Sequence, residues 1–453
     1  MMKKLLLGST ALVVGGVMAA PAMAADPIKM GIGGYYTFYA LAGNIDSSYA
    51  YNGSFTNYKG LAFTQEGEIH FVGQTKLDNG TSVGLTVELE AWNPSHGTVG
   101  GNTQIDEAFI FAFGDWGRVE LGSRDAATYR MYYGTPSALI GWGAIQHNHN
   151  WANAQVIANN KAYARTMATT ITPTWQDVNR INYFTPRFQG LQIGVGYAPK
   201  LIGAAGAGQL AAGPVNVAGT CGFQGAANIN NCPSSDYAWQ DLFDVGANYL
   251  NKFGNFTVAL YGAFAYASFV PGFSPLAGSA NMATGANLTS WKQWVAGAQF
   301  GYAGFTVGGA IGYDNNGMGA NYFTNVDNDT RFYTAGIMYE TGPWQMSFMW
   351  AGFYNTNGNG NSNTATIATG TNIATNTACA GVPGVNSTCF NGNPATALAF
   401  GTNTVNKWEI GANYALGPGV KLTGGAMMYT ASGPSNNTSG NSWAFLLGMD
   451  LRF

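Results

Sequence analysis

The end of the chain alternates. Trp443, Phe445, Leu447, Met449, Leu451 and Phe453 form one row, and Asp450 and Arg452 fall in the row between. A period of two puts successive side chains on opposite faces of a strand, so this segment has one apolar face and one face that carries charge. The same alternation runs through 82–91, where Val83, Leu85, Val87, Leu89 and Ala91 oppose Ser82, Thr86, Glu88 and Glu90. It returns at 344–354, with Trp344, Met346, Phe348 and Trp350 against Gln345 and Ser347, and at 407–416, with Trp408, Ile410, Ala412, Tyr414 and Leu416 against Lys407, Glu409 and Asn413. Helical periodicity is scarce. About sixteen such segments can be counted, each near the ~9–11 residues with which a tilted strand crosses a bilayer.

The connections alternate too. Short turns fall at 77–81, 114–117, 185–190, 251–255, 302–304, 341–343 and 417–419. Long stretches rich in Gly and Asn fall at 42–59, 93–103, 125–178, 200–238, 269–290, 315–330, 355–404 and 433–442. This rhythm predicts an all-β fold, a transmembrane antiparallel β-barrel of about 16 strands with short periplasmic turns and long external loops. Closure follows from solvation: in hydrocarbon every backbone donor and acceptor needs a partner within the protein, and a closed barrel leaves no free edge. A barrel this wide is not filled by its own side chains, so an aqueous channel is expected.

Composition agrees. Charged residues make up 9% of the chain, against about 25% in soluble globular proteins. With 19 basic and 22 acidic residues there is no polybasic footprint, which excludes nucleic acid as a partner. Lys3 and Lys4, an apolar run and Ala22-Met23-Ala24 predict a signal peptide over 1–24 and an outer-membrane barrel domain over 25–453. Beyond it, no stretch approaches the ~20 uncharged apolar residues of a spanning helix. In an exported chain the local pairs Cys221 with Cys232 and Cys379 with Cys389 predict disulfides. Trp92, Trp116, Trp239, Trp291, Trp344, Trp443 and Phe453 stand near strand ends, where amphipathic rings form girdles at the membrane boundary.

Register across the short turns places the inward charges. A turn at 78–80 sets Glu88 beside His70 and Glu90 beside Glu68, with Glu66 one step further along. A turn at 114–117 sets Asp106 beside Arg124, with Arg118 nearer the turn and Arg180 at similar depth on the next strand. Acid on one wall and base on another predicts a field across the lumen that sorts solutes. The long segment 125–178 is expected to fold inward as a constriction loop. It carries Arg130, Lys161, Arg165, His147 and His149 against Asp125 and Asp177, so its own contribution is basic.

Other chemistry finds little support. His70 and Glu88 could pair as base and orienting carboxylate, but no nucleophile can be assigned, so no enzyme and no cofactor are expected. His147 and His149 lack a spaced third ligand, and no metal site is predicted. Within 315–330 the acids resemble loose divalent-cation ligands without the EF-hand spacing, and a cation there could bridge to lipopolysaccharide.

The blocks FGDWGRVELGSRD (113–125) and RINYFTPRFQGLQIGVGY (180–197), with the terminal phenylalanine, resemble the Gram-negative general porins, particularly those of alphaproteobacteria. The resemblance implies a homotrimer of sixteen-stranded barrels in the lipid and lipopolysaccharide of the outer membrane, passing ions and small hydrophilic solutes. Arg124 matches the family's constriction arginine, with Ser123 standing between it and Gly122. Thr185 replaces the usual serine, and the third loop, acidic in the family, is basic here. The rival reading is a non-conducting outer-membrane barrel that serves adhesion or structure through its external loops.

Overall fold

A computed structural model describes residues 27–45, 58–91, 105–139, 178–200, 239–269, 289–315, 329–357, 401–432 and 440–453. The expected signal peptide, the four cysteines, Trp92, His147, His149, Lys161 and Arg165 lie outside these residues. Sixteen strands are described: β1 (Lys29–Ile45), β2 (Tyr58–Lys76), β3 (Ser82–Glu90), β4 (Ile105–Gly114), β5 (Gly117–Arg124), β6 (Val178–Phe184), β7 (Leu191–Lys200), β8 (Trp239–Phe253), β9 (Phe256–Phe269), β10 (Trp291–Tyr302), β11 (Phe305–Asp314), β12 (Thr330–Thr341), β13 (Trp344–Asn357), β14 (Gly401–Gly417), β15 (Val420–Ser432) and β16 (Gly440–Arg452). One helical turn, α1 (Ala127–Arg130), follows β5. Each strand pairs antiparallel with the next, and β16 pairs with β1 to close the barrel.

The alternation decides which face is which. On β16, Leu447 is 66% exposed and Phe445 59%, whereas Asp450 between the rows is 1% exposed. The apolar row faces outward, where lipid would cover it, and the polar row faces the lumen. At the seam the Phe453 amide donates to the Gly34 carbonyl at 3.2 Å, and the Gly34 amide donates to the Phe453 carbonyl at 3.0 Å. Gly34 has φ +154°, and a Cβ there would fall 2.2 Å from the Glu68 carbonyl oxygen, so the seam needs a glycine.

Strand length departs from the even spacing expected. β1 and β2 run 17 and 19 residues while β5 and β6 run 8 and 7. At about 3.3 Å per residue, β2 is roughly 60 Å long and overshoots the hydrocarbon even when tilted. The shortest strands flank the point where the chain turns into the barrel.

The aromatic rows are also split. Trp344, Trp443 and Phe453 are exposed on the outer face, as a girdle requires. Trp239 and Trp291, read as girdle residues, are instead 2% and 1% exposed. They meet inside the barrel with ring centroids 5.5 Å apart and planes tilted by 57°. Trp239 donates to the Thr289 carbonyl and Trp291 to Asp314. Trp291 shares the inward row of Gln293 and Val295, whereas Trp239 is out of step with the inward Leu242 and Asp244 and is turned in by the register shift between Gln240 and Phe243. Each indole N–H finds an acceptor there.

Candidate pore constriction

β5 ends at Arg124, and the chain then leaves the wall and runs along the inside of the barrel. The Thr128 amide donates to Asp244 on β8 at 3.1 Å, and the Tyr261 hydroxyl of β9 donates to the Thr128 carbonyl at 2.7 Å. Asn248 of β8 donates to the Met131 carbonyl at 3.0 Å, and Gln299 of β10 donates to the Gly134 carbonyl at 2.8 Å. Further on, Thr135 bonds Thr334 of β12, Ser137 bonds Glu409 of β14, and the Ala138 amide donates to Ser347 of β13 at 2.8 Å. Residues 125–139 thus trace a belt over the inner wall from β5 round to β14.

Two features of the wall seat the belt. The first is a track of inward glycines with no side chain to hold it off. A Cβ at Gly297 would stand 2.0 Å from the Tyr133 carbonyl oxygen, one at Gly308 2.6 Å from that of Gly134, and one at Gly411 2.5 Å from Leu139 Cγ. The second is an apolar bed. Met131 and Leu139 of the belt join a buried cluster with Tyr261, Val295, Phe332, Met349, Phe353, Val405 and Met427. Burying these side chains offsets the entropy of ordering the belt.

The charges gather on the opposite wall, β1 to β5. Glu68 faces Glu90 and His70 faces Glu88 across the β2–β3 ladder. The Tyr35 hydroxyl of β1 donates to Glu68 at 2.8 Å and to Glu66 at 3.2 Å. The expected pairing of Asp106 with Arg124 is off by one: Ala108 faces Ser123, so Glu107 falls beside Arg124 and forms its closest ion pair. The cause is the turn, which pairs Gly114 with Gly117. On the edge toward β3, Val87 pairs with Ala108 and Leu89 with Ile105, so Asp106 and Glu107 together oppose Glu88. A bulge of this kind inserts one extra residue and re-aims its neighbours.

Nor do the bases face the acids from another wall. Arg124 lies 3.5 Å from Glu88 and 3.8 Å from Glu120. Arg118 bonds Glu120 at 2.6 Å, and Arg130, reaching back from α1, bonds the same carboxylate. Phenylalanine rings of β4 back two of them: Arg118 lies 4.6 Å over Phe111 and Arg124 4.5 Å over Phe109. Acids and bases therefore form one interlocked patch. Arg180, expected in the pore wall, is fully buried beneath the start of the belt and bonds Asp244 at 3.0 Å.

Sequence reasoning missed Glu107 and Glu120. Glu120 was visible in principle, since Arg118, Glu120 and Arg124 share one face of an alternating strand. Glu107 was visible too, by counting the ladder from Gly114 opposite Gly117, which sets it opposite Arg124. Asp125 opens the belt, and burial pushes its carboxyl up to about 6 although Arg124, Arg130 and Arg180 pull it down.

Comparison with known proteins decides the family. A family model described as Gram-negative porin matches residues 8–434. The chain belongs to the Gram-negative porins. No curated protein matches it. Among solved structures, an anion-selective porin from Comamonas acidovorans aligns with a TM-score of 0.52 and 14% identity, covering 94% of this chain and 100% of the other. OmpT lacking loop L8, an outer membrane protein of Vibrio cholerae, aligns at 0.50 and 9% identity over 94% and 99%. At such identity these show the shared barrel. As a porin, the protein is an outer-membrane channel for passive diffusion, with its belt and its charged patch facing each other inside the barrel.

Proposed function

We propose that this porin passes ions and small hydrophilic solutes down their gradients without catalysis or cofactor, and that it prefers cations. The passage is narrowest where the belt faces Arg124. Arg118, Arg130, Glu66, Glu68, His70, Glu88, Glu90 and Asp106 line the approach, with Lys161 and Arg165 contributed by the rest of the loop. One observation carries the charge preference. Eight carboxyl groups, Glu66, Glu68, Glu88, Glu90, Asp106, Glu107, Glu120 and Asp125, gather on β2 to β5 and the start of the belt around three arginines, Arg118, Arg124 and Arg130. An acidic surplus beside a narrow aqueous passage raises the local cation concentration. The Comamonas acidovorans porin is named for the opposite preference, and the expectation for this chain comes from its own residues.

The remaining parts of the proposal rest on sequence. The mature chain begins at Ala25 after removal of residues 1–24. Its outer face meets lipid and lipopolysaccharide, three copies associate, and Cys221 with Cys232 and Cys379 with Cys389 close local disulfides in external loops. The test is the reversal potential of the purified protein in a planar bilayer under a KCl gradient. Current carried mainly by K⁺ supports the proposal. Current carried mainly by Cl⁻ defeats the charge preference, and a folded protein that conducts nothing favours the adhesion reading.

A further inference from the structure

The β2–β3 ladder holds a set of donors that diffusion does not require. His70 and Glu88 are direct partners across it, and Glu68 lies two residues along β2 on the same inner face. One donor atom from each of the three lies within 4.8 Å of the other two. His70 Nε2 is 2.7 Å from Glu68 Oε2. The other oxygen of Glu68 accepts from the Tyr35 hydroxyl at 2.8 Å, which turns Oε2 toward the imidazole. The His70 side chain is 29% exposed, so the set opens to the lumen. Because all three residues sit on paired strands, ladder hydrogen bonds hold their spacing, with no loop involved.

We propose that Glu68, His70 and Glu88 form a binding site for a divalent transition cation of the zinc class. The donor set determines the class. An imidazole nitrogen suits zinc, cobalt, nickel or copper, whereas calcium and magnesium favour sites built wholly from oxygen. Two carboxylates supply charge, and Glu66 and Glu90 stand close behind them. Arg124 is the nearest opposing cation, 3.5 Å from Glu88 Oε1, but its closest pair is with Glu107. Zinc bonds of ~2.0–2.2 Å set tetrahedral donors roughly 3.4 Å apart. Closing the present set therefore takes side-chain rotation on the order of 1 Å. The imidazole exchanges its contact with Glu68 for the metal, and the fourth position is left to lumen water. Three protein ligands with an open fourth position is an arrangement that zinc accepts.

Isothermal calorimetry on the folded full-length protein in detergent, titrated with ZnCl2, tests this without relying on conduction. One zinc per chain is expected, removable by EDTA, with no comparable heat from MgCl2. Co²⁺ at the same site should give a visible absorption band. His70→Gln and Glu88→Gln should each weaken zinc binding at least about tenfold, while a double variant His147→Gln with His149→Gln should bind as the parent does. If His70→Gln fails to fold, as judged by migration of unheated samples in gels, Glu88→Gln and the cobalt spectrum carry the comparison. A parent protein that binds no zinc overturns the proposal. So does zinc retained in both ladder variants, or lost with the loop histidines.

Discussion

Gly297→Ala adds one methyl group to the inner face of β10, under the belt. The new Cβ would stand 2.0 Å from the Tyr133 carbonyl oxygen and 3.1 Å from its carbon, with Gly309 carbonyl oxygen at 3.3 Å on the other side. Ordinary contact begins at 3.4 Å, so something must give by about 1.4 Å. The strands are held by their ladders. The belt is held by single hydrogen bonds such as Gln299 to Gly134, and it moves inward. The expected cost is about 1–3 kcal/mol for overpacking, plus roughly 1 kcal/mol for each belt hydrogen bond lost. Single-channel conductance should fall because the belt is pushed toward the charged wall. The matched control is Gly262→Ala on β9, where a Cβ meets nothing within 4 Å. It should leave conductance and unfolding in detergent unchanged. If the two variants behave alike, the belt does not lie on the wall as described.

Glu120→Gln removes a buried carboxylate shared by Arg118 and Arg130. Breaking such a network costs about 3–5 kcal/mol, so detergent unfolding should move to lower temperature and the reversal potential should move toward anions. Arg124→Ala removes the cation between Glu88 and Glu107, so cation preference and conductance should both rise; an unchanged reversal potential would deny this residue a place at the constriction. Asp125, whose carboxyl is pushed up to about 6 from an ordinary 3.8, favours the folded state most below that ordinary value, and its contribution is lost as pH rises through about 6. Asp125→Asn should therefore flatten the decline in thermal stability between those two values, and an identical decline in the variant would contradict the assignment.

The barrel was readable because its solvent imposes a strict pattern. One side of every strand meets hydrocarbon, so the period of two survives in Trp443 to Phe453 and in most other strands, and the turn rhythm gave the topology. His70 beside Glu88 and Glu90 beside Glu68 followed from counting back from one tight turn. One hairpin later the count missed by one residue, because the turn pairs Gly114 with Gly117 and so sets Glu107, not Asp106, opposite Arg124; the bulge at Asp106 and Glu107 affects only the edge toward β3. The pattern failed for Trp239 and Trp291 because nearness to a strand end says nothing about which face a ring occupies. The belt's path was beyond local pattern altogether. It depends on glycines of β10, β11 and β14, each unremarkable in its own strand, that line up only once the barrel has closed.

Liposome swelling tests the central claim most directly. Vesicles carrying the folded protein should swell in isosmotic solutions of small sugars, at rates that fall as the sugar grows, because the lumen holds water and the belt sets a size limit. Vesicles that do not swell with any sugar, while the protein in them remains folded, would mean that the barrel is plugged and not a channel.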